Sequence, residues 1–212
     1  AGWNLIGNPL PFRVSTAKLR VINPVNYDLS KIPDAYEYTG STGWLKADYL
    51  NPWEGLAIYS DFDTKLQFWV GYTNIGKQSA KYINDSYNWI AKVTAENGES
   101  ADMENFFGVQ KNALSGKDTY DSPEPPIIPE AVSVFFPHPE WNERVVNFSE
   151  DIRSQHETEN EWNMVLRSGS TKAITLKIEG LENLPGSLNK YLYDTDANLI
   201  YNLTDRAMIQ IP

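Results

Sequence analysis

Three kinds of residue in this chain could do chemistry: carboxylates beside tryptophan, oxygen donors gathered in one stretch, and two histidines. Glu54 follows Trp53, and Glu140 precedes Trp141. A carboxylate next to an aromatic floor is how a sugar-cleaving site begins. Glycoside hydrolysis, however, needs two carboxylates facing each other across the sugar, about 5–10 Å apart. With 28 acidic residues in the chain, such a pair is easily imagined. Both pairs also lie close to proline in expected turns, where an exposed acid is ordinary, so a glycoside hydrolase ranks last. The histidines, His138 and His156, stand in FPHPEW and SQHETE, neither of which has zinc-ligand or triad spacing. His138 sits between two prolines and reads as a rigid turn residue rather than a base. Cysteine is absent, and neither a G-x-S-x-G elbow nor a Gly-rich phosphate loop occurs. No enzymatic role is expected.

The oxygen donors fall in DMENFFGVQKNALSGKDTYDSPEPP, residues 102–126. Asp102, Asn105, Asp118 and Asp121 are the hard ligands that calcium takes in six- to eightfold coordination, and a structural calcium is the cofactor expected here. The spacing matches no EF-hand, and Asp and Asn also cap turns in their own right. Phe106 and Phe107 are expected to anchor this stretch to the core, and the prolines at 123, 125 and 126 to stiffen its end. The stretch therefore reads as a rigid crossover. Asp194-x-Asp196-x-Asn198 imitates the opening of a calcium loop, but Leu199 stands where the glycine belongs and Asp205 where the glutamate belongs. A hairpin turn is the better reading. Asp151-Ile152-Arg153 reads as a local ion pair without a function.

Seven tryptophans are many for 212 residues. Carbohydrate-binding β-proteins stack apolar sugar faces on exposed Trp or Tyr and bond the hydroxyls with Asp, Asn, Gln or Arg. Trp44, Trp53 and Trp141 fall in or beside turns and are the candidates for exposure. Trp3, Trp89 and Trp162 lie near the start of apolar strands and read as core. Trp69 alternates against Leu66, Phe68 and Val70, at an interface or in solvent.

The elements that would position these residues are short strands. KLRVIN (18–23) alternates, and 36–38 with 44–46 form a hairpin turned by Gly40 and Gly43. A second hairpin is expected over 54–72, and Asn97-Gly98 is a strong hairpin signal. Strands follow over 131–138 and 143–152, then hairpins across 168–171 and 194–198. No helical period persists, so the class is all-β: a β-sandwich with a smaller N-terminal β-domain. The domains are 1–80 and 81–212, the latter including the 102–126 crossover, with a boundary near 76–85. A single continuous sandwich is the competing arrangement.

A formal charge of −10 leaves no basic patch for nucleic acid. Apolar runs are too short for membrane insertion. A β-rich, acidic, cysteine-free chain suits a bacterial secreted module that folds without disulfides. The start at Ala1-Gly2-Trp3 and the end at Ile211-Pro212 read as those of a segment of a longer polypeptide.

GWNLIGNP (2–9), YEYTGSTGW (36–44) and PWEGLAIYS (52–60) resemble a β-module of type IX-secreted surface proteins of Gram-negative bacteria. DMENFFGV (102–109), GKDTYDSPEPP (116–126), Trp141, Asp151-Ile152-Arg153 and Trp162 resemble the region that often follows it, before the sorting domain. The resemblance implies a non-catalytic accessory module, secreted or at the cell surface, with neighbouring domains of a longer chain as partners. Together with the turn-borne tryptophans it gives a carbohydrate-binding module whose ligand is a polysaccharide or cell-surface glycan. The alternative is a structural spacer or adhesion module without a small ligand.

Overall fold

The computed structural model describes residues 2–23, 34–60, 63, 65–68, 88–154, 161–184, 188–203 and 207–212. Within them the chain is all-β. The strands of the first part are β1 (Gly2–Gly7), β2 (Val14–Ser15), β3 (Leu19–Asn23), β4 (Ala35–Tyr38), β5 (Trp44–Lys46), β6 (Tyr49–Leu50), β7 (Gly55–Ser60) and β8 (Lys65–Phe68). They continue as β9 (Trp89–Glu96), β10 (Ala101–Gln110), β11 (Ser133–Pro137), β12 (Asn147–Phe148), β13 (Glu150–Ser154), β14 (Val165–Arg167) and β15 (Ile174–Glu179). The last are β16 (Tyr191–Asp194), β17 (Leu199–Asn202) and β18 (Ala207–Ile211). Helix is confined to three-residue 3-10 turns such as Pro139–Trp141. Among the described residues no helix is long and apolar enough to cross a membrane.

A four-stranded antiparallel sheet of order β1-β7-β4-β5 forms the N-terminal part, with the ribbons β2-β6 and β3-β8 beside it. Leu19, Ala35, Ala47, Leu50, Leu56 and Ile58 make its core. A five-stranded sheet of order β13-β10-β9-β15-β18 follows, antiparallel except for the β10–β13 pair. Strand β9 alternates cleanly, turning Trp89, Ala91, Val93 and Ala95 inward. Strand β15 does the same with Ile174, Leu176 and Ile178. These side chains pack on Val132 and Val134, at and just before the start of β11, the middle strand of a third sheet, β12-β11-β14. Each large aliphatic side chain buried there contributes about 1.5–3 kcal/mol.

The two larger sheets are joined by specific bonds. Trp3 donates from Nε1 to the Glu124 carbonyl at 2.8 Å, and Trp44 to the Pro126 carbonyl at 2.9 Å. Lys46 of β5 meets the fully buried Glu150 of β13 at 2.6 Å and Asp34 at 3.2 Å. Ser122 donates to the other Glu150 oxygen at 2.8 Å. The proline-ended stretch does fasten one sheet to the other, as its stiffness suggested.

Several expected elements are confirmed. The β4–β5 hairpin turns through Gly40 and Gly43, both at φ 73°, and β9–β10 turns through Gly98 at φ 80°. β16 and β17 pair across the Asp194–Asn198 turn, where Asp194 Oδ1 accepts the N–H groups of Asp196 and Ala197. Three expectations are corrected. Residues 102–110 are not a crossover but most of β10, in the middle of the five-stranded sheet. A bulge between Asp102 and Asn105 breaks the period of two, so inward positions fall at 101, 105, 108 and 110 and the alternation disappears from the sequence. The expected 54–72 hairpin does not form, because β7 pairs with β1 and β4 while β8 pairs with β3. Nor do β14 and β15 pair across 168–171: β14 joins β11, and β15 lies between β9 and β18. Each miss is a non-local pairing that won over a local turn signal. The proposed boundary near 76–85 lies outside the described residues.

Candidate functional site

The most distinctive surface feature is the corner carrying Trp53. Glu54 N–H donates to the Asn51 carbonyl at 3.3 Å, closing a four-residue turn, Asn51-Pro52-Trp53-Glu54. Proline holds the second position and Trp53 the third, with φ 65°. That is the pattern of a type II turn, whose third position demands positive φ and is normally glycine or asparagine. A tryptophan there is strained, and this one is 79% exposed. Burial therefore does not explain it.

Asn8 builds this corner. It is only 2% exposed, and its amide donates to the carbonyls of Phe12 (2.8 Å) and Leu50 (3.1 Å). Its side-chain oxygen accepts Leu10 N–H at 3.0 Å, and its own carbonyl accepts Trp53 N–H at 3.1 Å. One buried asparagine thus brings three chain segments together, with Phe12, Tyr49 and Trp53 all left exposed beside them. The Arg13 guanidinium lies 4.5 Å from the Tyr49 ring centre, and Asn51 donates to the Glu54 carboxylate at 2.8 Å. Aromatic rings with exposed carboxylate, amide and guanidinium groups are the components of a sugar platform. Sequence reasoning singled out Trp53 but missed Asn8, Phe12, Tyr49 and Arg13. The only available signal was Gly7-Asn8-Pro9, an asparagine in a turn.

The other two candidate tryptophans are engaged. Trp44 is half-buried, tilted against Tyr38 and bonded to Pro126. Trp141 is half-buried and stacked on His138, with ring centres 3.7 Å apart and planes 6° apart, and it meets Phe148 edge-on. Of the tryptophans expected inside, Trp89 is buried. Trp162 packs against it and Phe107, and Trp3 meets Tyr36 and Tyr59 edge-on. Phe107 joins the core as expected, whereas Phe106 faces the ammonium groups of Lys46 and Lys92. Trp69 and His156 lie outside the described residues.

His138 is the centre of a buried ionic cluster. Its Nδ1 is 2.7 Å from Glu140, and its Nε2 is 3.0 Å from Asp151 Oδ2, though outside hydrogen-bond geometry. Arg153 clamps Asp151 through two bonds, from Nε at 3.0 Å and Nη2 at 2.9 Å. Burial pushes the His138 pKa down, but the two carboxylates outweigh it and the net shift is upward. Burial pushes Asp151 up, and His138 and Arg153 outweigh that, holding it below the usual carboxylate value. An imidazole with a carboxylate at each nitrogen is held as a cation, which suits packing rather than proton abstraction. The Asp151–Arg153 pair is local, as the sequence indicated, but Asp151 is fully buried rather than exposed.

The four expected metal residues fall into two pairs. Asp118 and Asp121 form a turn whose carboxylates accept backbone N–H groups: Asp118 from Leu114 and Tyr120, Asp121 from Asp118 and Ile152. Burial lifts the Asp121 pKa to about 7, against those two bonds. Asp102 accepts Val134 N–H at 2.7 Å, with Asn105 close by across the bulge. The partner that sequence reasoning missed is Glu124, which is 7% exposed and accepts Ser133 Oγ at 3.0 Å through one oxygen only. Burial, then the charge of Asp102, push the Glu124 pKa well up. Among the described residues no three His, Cys, Asp or Glu side chains converge as a metal cluster.

No protein-family model, curated protein or solved structure matches this chain, so the reading of the site rests on its own geometry.

Proposed function

We propose that the protein is a non-catalytic carbohydrate-binding module of a longer secreted or cell-surface protein, its sheets arranged as a β-sandwich behind a smaller N-terminal β-domain. The sugar face stacks on Trp53, flanked by Phe12 and Tyr49, and Arg13, Asn51 and Glu54 reach its hydroxyls. The observation that carries this reading is Trp53 itself: a large aromatic, 79% exposed, in a backbone conformation that favours glycine. Strain retained at an exposed residue points to function. The two Trp-adjacent acids support a binding rather than a cleaving role, since Glu54 is bonded to Asn51 and Glu140 to His138 within their own turns.

A spacer without a small ligand is the second reading. The buried Lys46–Glu150 pair favours it, because such a joint holds two sheets in fixed relation. Pull-down on a panel of insoluble polysaccharides separates the two. The binding reading expects retention that Trp53→Ala weakens at least about tenfold, the loss typical of a stacking hot spot. The same change at so exposed a site should move stability by less than about 0.5 kcal/mol. Absence of retention across the panel, or retention unaffected by Trp53→Ala, leaves the spacer.

A further inference from the structure

Independently of the glycan reading, a second place in the molecule asks for a ligand. A cavity of about 10 Å³ lies where the β4–β5 hairpin meets the five-stranded sheet. Its lining includes Trp44, Ala101, Asp102, Glu124 and Ser133, and contains no Lys, Arg or His. The two parts of the chain press hard together here. A side chain at Gly43, for example, would begin 2.0 Å from the Ala101 carbonyl oxygen.

Two carboxylates therefore share one small, enclosed space without a neutralising cation in its wall. The nearest basic strand residue, Lys92, is taken by Glu104 at 3.3 Å. Two further observations are independent of this acidity. Glu124 Oε2 is buried with no hydrogen-bond partner. Asn105, next to Asp102 across the bulge and 0% exposed, has neither amide atom in a hydrogen bond. A buried unsatisfied polar atom costs about 1–3 kcal/mol, so three in one neighbourhood call for an explanation.

We infer that Asp102 and Glu124, with the carboxamide oxygen of Asn105, hold a single hard divalent cation of the calcium type beside Trp44. The space admits one water-sized body. That excludes an organic ligand, and it disfavours magnesium, which keeps several of its waters. A lone water would satisfy the orphaned atoms but would leave two carboxylates un-neutralised. The assignment keeps Asp102 and Asn105 from the four residues expected from sequence and puts Glu124 in place of Asp118 and Asp121, whose oxygens accept backbone N–H groups. Bound there, the ion would stiffen the seam between the two sheets without being part of the sugar platform.

Trp44 supplies the test. Terbium takes calcium sites, and an indole on the wall sensitises its emission. The protein, stripped with EDTA and titrated with terbium under tryptophan excitation, is expected to emit, with calcium competing the signal away. Calcium at a hundredfold excess over Kd should raise Tm by about 5–10 °C. Glu124→Gln, which removes the charge and keeps the shape, should abolish both effects while folding without calcium at least as well as the parent. Absence of emission and of any calcium-dependent Tm change, or effects that persist unchanged in Glu124→Gln, would overturn the site. Retention on polysaccharide by the calcium-free protein would leave the Trp53 proposal standing.

Discussion

The turns at Pro52-Trp53-Glu54 and Pro139-Glu140-Trp141 are built from the same three residue types, and the fold treats them in opposite ways. At the first, tryptophan occupies a glycine position and stands in solvent, with its glutamate bonded to an exposed asparagine. At the second, tryptophan lies flat on a buried histidine, and the glutamate holds that histidine's Nδ1. The difference lies in what comes next to each turn. Residue 138 is an imidazole already gripped by Asp151 and Arg153 of β13, so an aromatic ring and a carboxylate both have something charged and flat to pack against. Nothing comparable faces Trp53. Residue type beside proline therefore does not decide between a binding surface and a piece of core. The partner brought in by a distant strand does.

If that account is right, the largest effect should come from removing the distant partner. Asp151→Ala strands His138 and Arg153 without their shared carboxylate in a buried setting, and should cost about 3–5 kcal/mol. Urea unfolding with an unchanged slope would measure it. A loss under about 1 kcal/mol would mean the cluster contributes little and the contrast between the turns is cosmetic.

A smaller, pH-dependent effect isolates the histidine. Its native pKa is raised above the ordinary 6.5, so its contribution is fully present below that value and is lost as pH rises through the native pKa. Asp121, lifted to about 7, acts with the same sign but at lower pH: stability falls as pH rises from about 4 towards 7, while the unfolded chain ionises first. The parent should therefore lose stability with rising pH across both windows, by at most about 1.4 kcal/mol per unit for each full proton of difference. His138→Gln should flatten the part above pH 6.5 and leave the lower part. Parallel curves for parent and variant would show that His138 is not held as a cation.

The sequence carried the class and the local hairpins because those depend on neighbours along the chain. Gly40 and Gly43, Asn97-Gly98 and the Asp194–Asn198 turn each needed only their own backbone preferences. It did not carry β10, whose bulge hides the alternation, or the pairing of β14 with β11 across a long interval. The same division runs through the sites. Trp53 was visible as a turn-borne aromatic, but Asn8, which assembles its surroundings, looks like any turn asparagine until Leu50 and Trp53 fold back on it. Glu124 was read past as one acid among prolines. Its meaning comes from Asp102, Ser133 and the cavity, all supplied by other strands.

The smallest expected effect is the most diagnostic. Trp53→Gly places the residue that a type II turn prefers at the position where Trp53 now has φ 65°. Relief of left-handed strain should return about 1–2 kcal/mol, and the freer unfolded chain should take back about 0.4–1 kcal/mol. The net change is neutral to about 1 kcal/mol of added stability, read as an upward Tm shift of at most about 4 °C. Polysaccharide retention should vanish in the same variant. A residue whose removal strengthens the fold and abolishes binding is there for the ligand. A drop in Tm instead would place Trp53 with Trp141, as packing, and the two turns would no longer differ in kind.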